Sequence, residues 1–280
     1  MPTILDTLKK GTEYLERYGI DEARLSMEHL IAHVLKVERM QLYLDFDRPL
    51  EGPVLNRLRE MTKRRSRGEP LQHLLGSVEF ASLEFSVDQR ALIPRPETEE
   101  LVALVLERIK PAPGRVLDLG CGSGVIGLSL ASKWESTDVL LSDISTEALD
   151  LARENAKQLG LETRVQFAQS NLCRDLDGPF DLIVANLPYI PDNERTELSE
   201  EVRRDPSLAL YGGESGTEMI EAFLAAAPDR LFPQGNIALE FGIGQAEPLR
   251  RKAEDEGFEA VEIKADLNGI DRFLFAVKSA

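Results

Sequence analysis

The sequence predicts an α/β protein: a mostly parallel sheet with helices on both faces, preceded by a small helical bundle and a β-hairpin linker. Three observations predict it. From residue 115 onward, short apolar runs alternate with amphipathic helical stretches, the pattern of successive β-α units. Residues 1–70 instead carry apolar positions at three- and four-residue steps, the helical period. A glycine-rich segment, Gly120 to Gly127, directly follows the first strand candidate, where an open α/β sheet binds its ligands.

The 280 residues suffice for about two domains at ~150 residues each. The boundaries expected are 1–72 for the bundle, 73–90 for the linker and 91–280 for the sheet domain. Residues 1–72 hold 13 basic and 12 acidic side chains, and 73–280 hold 20 and 37, so the net charge of −16 lies in the larger part. That field opposes a grip on duplex DNA. Two cysteines, Cys121 and Cys173, form no CxxC and no disulfide framework, as in a reducing compartment. The N-terminus has no signal pattern, and no apolar run approaches the ~18 residues of a membrane span. A cytoplasmic protein is expected.

In the bundle, Leu25, Leu30, Ile31, Val34 and Leu35 mark one helix, with Asp21 as its expected N-cap. Val54, Leu55, Leu58 and Met61 mark the next. The run Lys63-Arg64-Arg65-Ser66-Arg67-Gly68 suits a solvated helix end, since cations favour that end and glycine the position after it. A contact surface for RNA or protein is the alternative. Residues 78–87 alternate as a short hairpin. The strands expected beyond it are Arg115–Leu119, Val139–Ser142, Val165–Ala168, Asp181–Ala185, Ile237–Phe241, Ala260–Ile263 and Phe273–Val277. Helices are expected between most of them, among them Glu147–Leu159 and Glu218–Leu231.

The first strand runs into Asp118-Leu-Gly120-Cys121-Gly122-Ser123-Gly124, and a helix follows. Glycines let the backbone turn and approach a ligand closely, and the helix start favours electronegative atoms. Asp143, at the end of the next strand, can accept from both hydroxyls of a ribose. The same residues satisfy the GxGxxG dinucleotide fingerprint and the DxGxGxG loop of S-adenosylmethionine-dependent methyltransferases, so the loop alone leaves both cofactors open.

The fourth strand exits into Asn186-Leu187-Pro188-Tyr189-Ile190. This turn should face the same crevice, which also places Asn186 beside the cofactor. A planar NH₂ group held for methylation needs two acceptors for its hydrogens. The Asn186 side-chain oxygen and the Leu187 carbonyl supply them, with Pro188 restricting the turn and Tyr189 offering a flat face. A nicotinamide enzyme would leave this turn without a task.

With these motifs, the chain resembles the bacterial protein-(glutamine-N5) methyltransferases, the PrmC/HemK family, over nearly its whole length. The resemblance rests on Gly68-Glu69-Pro70-Leu71, Leu92-Ile93-Pro94-Arg95-Pro96-Glu97-Thr98-Glu99, the glycine loop, the Asn186–Ile190 turn, Leu239-Glu240-Phe241-Gly242 and Asp266-Leu267-Asn268-Gly269-Ile270-Asp271-Arg272. It implies a class I SAM-dependent methyltransferase fold, Rossmann-like, behind a helical substrate-recognition domain. It also implies methyl transfer from S-adenosyl-L-methionine to the glutamine of the Gly-Gly-Gln motif in class-1 peptide chain release factors. By motif position, Gly120, Cys121, Gly122, Ser123 and Gly124 would contact the cofactor and Asp143 its ribose. Asn171 and Leu172 would lie beside the adenine. Asn186, Leu187, Pro188 and Tyr189 would hold the glutamine amide, with Asn186 and Tyr189 as the catalytic pair. The protein would act as a monomer, without stable nucleic-acid binding. Three positions depart from the family pattern: Leu187 replaces a usual Pro, Asn171 stands where Asp is commoner, and Leu172 where an aromatic is frequent.

Other candidates carry less. His29 and His33 share a helical face, but Leu30 breaks HExxH and no third ligand is apparent; His73 is isolated. Arg95, Glu97 and Glu99 suit either a helix start or a loop closing beside the cofactor. Glu240 suits either a buried structural acid or a crevice residue. A methyltransferase of adenine N6 or of another protein glutamine would use the same turn.

Overall fold

The computed structural model describes residues 1–280. The chain divides into two compact units, Met1–Ser77 with Ser199–Arg204, and Val78–Leu198 with Asp205–Ala280. No helix is long and apolar enough to cross a membrane.

The first unit is helical: α1 Ile4–Arg17, α2 Ala23–Leu35, α3 Gly52–Arg65 and α4 Leu71–Leu75. The Thr3 hydroxyl accepts from the Asp6 amide while the Asp6 carboxylate accepts from the Thr3 amide, a reciprocal cap on α1. The expected cap of α2 by Asp21 does not form. Glu22 stands at that position with φ 49°, and the left-handed backbone replaces the extended one that a side-chain cap requires. Leu8, Leu15, Met27, Leu30, Ile31 and Leu58 fill the core.

The basic run ending α3 is only partly a solvated end. Arg65 is buried, donating to the Glu69 carbonyl and to Glu201 at 2.8 Å. Arg204 donates to the Arg67 carbonyl. These bonds show why a six-residue piece from far along the chain belongs to the helical unit. No sequence period announces it.

The second unit opens with the expected hairpin, β1 Ser77–Phe80 and β2 Leu83–Ser86, turned by left-handed Ala81 and Ser82. The chain continues through α5 Pro96–Arg108, β3 Arg115–Leu119, α6 Val125–Lys133, β4 Asp138–Asp143, α7 Thr146–Gln158, β5 Val165–Gln169 and β6 Phe180–Asn186. Two short strands follow, β7 Ile190–Pro191 and β8 Tyr211–Gly213. Then come α8 Glu218–Ala226, β9 Leu231–Glu240, α9 Ala246–Asp255, β10 Phe258–Ala265 and β11 Asp271–Lys278. The main sheet has the order β10-β11-β9-β6-β3-β4-β5. Strands β9 through β5 are parallel, and β11 runs antiparallel to both of its neighbours, β9 and β10.

Alternate residues of each central strand enter opposite cores. Val116, Leu141, Val184 and Ala238 pack on one face, and Leu117, Ile183, Leu239 and Leu274 on the other. The chain leaves β3 toward β4 and returns beside β3 only as β6, so the order reverses between β3 and β6. The loops after these two strands therefore flank the crevice where such sheets bind ligands. They are the glycine loop and the Asn186–Ile190 turn.

Candidate active site

One cavity lies at this reversal. Gly120, Cys121, Gly122 and Ser123 line it from the glycine loop, and Asp143 from the end of β4. Asn171 and Leu172, after β5, line it as well, as do Asn186, Leu187 and Pro188 after β6. Ten of the residues singled out from the sequence thus meet at one place. Gly124 and Tyr189 stand off its wall.

Gly124 has φ +83° and begins α6. A Cβ there would come within 3.0 Å of Leu128 and Leu141, so this glycine serves the packing of the loop against the core. Tyr189 packs against the core on the α8 and α9 side of the sheet and donates its hydroxyl to Glu240 at 3.2 Å. Burial, with Glu240 beside it, pushes this phenol well above its ordinary range. The flat face expected for the substrate is therefore not part of the cavity wall.

Asp143 is held by two backbone donors. Its Oδ1 accepts from the Ser145 amide and its Oδ2 from the Gly122 amide, both at 2.9 Å. Burial raises this carboxyl above its usual value, and the backbone donors partly oppose the rise. Each oxygen keeps acceptor capacity, which suits a vicinal diol. Exposed Ile144 and half-buried Leu172 add apolar surface to the same cavity. Leu172 adopts φ 53°, and its carbonyl accepts from the Ser170 hydroxyl. A fixed carboxylate, apolar side chains and a glycine loop entering a helix form a donor and acceptor set that fits a ribonucleoside cofactor.

The Asn186 Nδ2 donates to the Thr98 hydroxyl at 2.9 Å. This leaves Asn186 Oδ1 without a protein donor, and the Leu187 carbonyl likewise accepts no hydrogen bond within the protein. Leu187 itself is buried, its Cδ2 within 3.0 Å of where a Cβ on Gly120 would sit. Side-chain packing over the glycine loop thus holds Leu187, and with it the start of the turn, in place.

The turn is also braced from behind. Gln245 Nε2 donates to the Tyr189 carbonyl, and Gln245 Oε1 accepts from the Gly242 amide. A Cβ on Gly212 would lie 2.4 Å from the Pro188 carbonyl, so only glycine admits β8 this close.

Several contributors carried no local signal. Asp205 is fully buried, accepting from Arg95 at 2.6 Å and from the Ile93 amide at 3.3 Å. Pro206 and Leu208, just after it, line the cavity. Residues 95–99 form a helix start, since α5 begins at Pro96; Arg95 and Thr98 line the cavity, and Glu97 and Glu99 do not. Glu240 is buried and accepts from Thr98 at 2.7 Å as well as from Tyr189. Burial pushes its carboxyl up to about 7, against the lowering effect of those two hydroxyls and Arg272. Asp118 is raised to about 7 by burial, with the nearby Asp143 adding to the rise and the Gly127 amide opposing it. The Cys121 thiol is raised well above its usual value by burial beside Asp118 and Asp143, which removes it as a nucleophile. No group of His, Cys, Asp and Glu has the arrangement of a metal site.

Comparison with known proteins agrees with this geometry. The PrmC N-terminal domain model matches residues 6–76, and the Methyltransferase small domain model matches residues 98–205. A release factor glutamine methyltransferase of Deinococcus radiodurans is 39% identical over 272 residues, covering 97% of this chain and 97% of that protein. One of Geobacter sulfurreducens is 40% identical over 272 residues, covering 96% and 95%. Among solved structures, a methyltransferase from Pyrococcus furiosus shares the fold with a TM-score of 0.55 at 19% identity, covering 71% of this chain and 90% of that one. With full-length likeness at this identity, and with the motifs meeting at the sheet's reversal point, the chain belongs to the release factor glutamine methyltransferase family.

Proposed function

We propose that the protein methylates the side-chain nitrogen of the glutamine in the Gly-Gly-Gln motif of class-1 peptide chain release factors. The observation that carries this reading is the pair of unclaimed acceptors on consecutive residues, Asn186 Oδ1 and the Leu187 carbonyl. A primary amide has two hydrogens and a nitrogen lone pair delocalised into its carbonyl. Asn186 Oδ1 accepts one hydrogen and the Leu187 carbonyl the other, which aims the nitrogen into the cavity. Both acceptors also stabilise the positive charge that grows on the nitrogen as the new N–C bond forms. Holding the amide in line supplies much of the remaining acceleration. One amide proton then leaves to solvent.

S-adenosyl-L-methionine, when bound, supplies an electrophilic methyl group and leaves as neutral S-adenosyl-L-homocysteine. Asp143 would hold the ribose hydroxyls, with the backbone from Gly120 to Ser123 beside the nucleoside. Ile144 and Leu172 would offer apolar contact to the adenine, and Asn171 would lie near the base. Tyr189 serves by fixing the turn from behind, and Gly124 by keeping the loop tight against the core.

The partner is the release factor, met in the cytoplasm by a single copy of this chain. The acidic second unit disfavours a nucleic-acid substrate. Isothermal titration with S-adenosyl-L-methionine, followed by single-turnover transfer to a release factor, tests the reading. Binding with transfer supports it. Binding with no transfer to the release factor, but with label entering ribosomal protein or nucleic acid, would replace the substrate.

A further inference from the structure

The acceptor pair works only if Asn186 presents its oxygen to the substrate and its NH₂ to the protein. The carboxamide is nearly symmetric in shape, and a flip exchanges the two. Flipped, it would offer two donors to an amide nitrogen that is itself a donor. Something must fix the polarity, and the cavity wall holds such a device.

Asn186 and Glu240 are register partners in adjacent parallel strands. Thr98, in the first turn of α5, lies between them and is itself buried. Its hydroxyl donates to Glu240 Oε2 at 2.7 Å and accepts from Asn186 Nδ2 at 2.9 Å. A hydroxyl has one hydrogen. An ionised carboxylate can only accept, so Glu240 takes that hydrogen and leaves the Thr98 oxygen lone pairs facing Asn186. Asn186 can then meet Thr98 only with Nδ2. The second Glu240 oxygen accepts from Tyr189 at 3.2 Å, which keeps the carboxylate in place.

We propose that Glu240 and Thr98 are positioning residues that set the orientation of the Asn186 carboxamide, and so select a donor-bearing nitrogen as methyl acceptor. The inference rests on the reading of Asn186 given above. Each acts through a neighbour: Glu240 through Thr98, and Thr98 through Asn186.

The test compares Thr98→Val, Thr98→Ser, Glu240→Gln and Asn186→Ala in the full-length protein, with S-adenosyl-L-methionine and purified release factor. Thr98→Val keeps the shape and removes the hydroxyl. Glu240→Gln can turn its amide to Thr98 and reverse the hydrogen-bond direction. Each should lower kcat about tenfold, on the scale of one charge-assisted hydrogen bond, while KM for the release factor and the Kd of the cofactor stay within about twofold. Thr98→Ser, which restores the hydroxyl, should recover most of the rate. The Thr98→Val/Glu240→Gln double variant should be no slower than the slower single, because both break one chain.

A purely structural role for Thr98 predicts parallel losses in melting temperature, cofactor affinity and rate, with additive variants. That result would overturn the proposal. So would full activity of Thr98→Val beside an inactive Asn186→Ala, an outcome that leaves the role of Asn186 standing. Full activity of Asn186→Ala would instead remove the reading on which the proposal rests. If Thr98→Val fails to fold, Glu240→Gln and its kcat against KM carry the same decision.

Discussion

Asn186 at the end of β6 and Glu240 at the end of β9 stand opposite each other in neighbouring parallel strands, and the Thr98 hydroxyl joins them. A buried carboxylate, a hydroxyl and a carboxamide thus form one directed chain from the core to the cavity. The chain explains why Glu240 remains in an apolar setting that pushes its carboxyl up to about 7.

Asn186→Ala should leave cofactor affinity nearly unchanged and lower transfer by about a hundredfold or more, the range for losing a group aimed at developing charge. Titration calorimetry beside single-turnover kinetics checks this. A joint loss of binding and transfer would mark Asn186 as a structural residue.

The rate should depend on pH through Glu240. Its neighbours are Thr98 and Glu97 from α5, Tyr189 from the turn after β6, and Arg272 from β11. Below about 7 the carboxyl holds a proton and can donate to Thr98, releasing the hydroxyl from its fixed direction. Single-turnover kcat should therefore rise as pH increases through about 7 and then level off. Glu240→Gln should show a low rate without that limb.

Stability of the cofactor-free protein should run the other way. Asp118 titrates near 3.8 in an open chain and near 7 when buried in the fold. Between these values the folded state holds a proton that the unfolded state has released. Its contribution is fully present below about pH 4 and is lost as pH rises to about 7, amounting to on the order of 4 kcal/mol. Glu240 acts in the same direction. Urea melts across pH 4–8 should show declining midpoints, and Asp118→Asn should flatten the decline.

Gly212→Ala should damage the turn without touching the cofactor. The new Cβ would collide with the Pro188 and Gly216 carbonyls at 2.4 Å. Overpacking of this kind costs about 1–3 kcal/mol and displaces backbone. The expected result is a lower melting temperature and a reduced kcat, with cofactor affinity nearly retained.

Asp143→Ala should do the converse, weakening cofactor binding by tenfold or more. The variant would lose the acceptor proposed for the ribose hydroxyls, and the Gly122 and Ser145 amides would lose theirs.

The sheet was legible because each strand is an apolar run between amphipathic helices, and all seven expected strands appear. Strand β9 runs back to Leu231, further than expected, because its first residues include exposed Phe232 and Gln234, which break the apolar run. Strands β7 and β8 are too short to show a period. Most of the cavity lining was legible because it follows directly from the ends of successive parallel strands. Thr98 and Glu240 stood in visible motifs, yet their relation appears only when β6 and β9 pair and α5 packs above them. That Tyr189 stands off the cavity wall was not legible, because sequence gives its place on the turn but not the direction of its ring. Asp205 and the Ser199–Arg204 segment had no local signal, since each acts through partners about a hundred or more positions away.

The most direct measurement is methyl transfer from labelled S-adenosyl-L-methionine to a purified class-1 release factor, beside the same factor with its Gly-Gly-Gln glutamine changed to alanine. Label is expected on the first and not on the second, with the added methyl on the glutamine side-chain nitrogen. Equal labelling of both, or none on either while the cofactor binds, would contradict the proposed reaction.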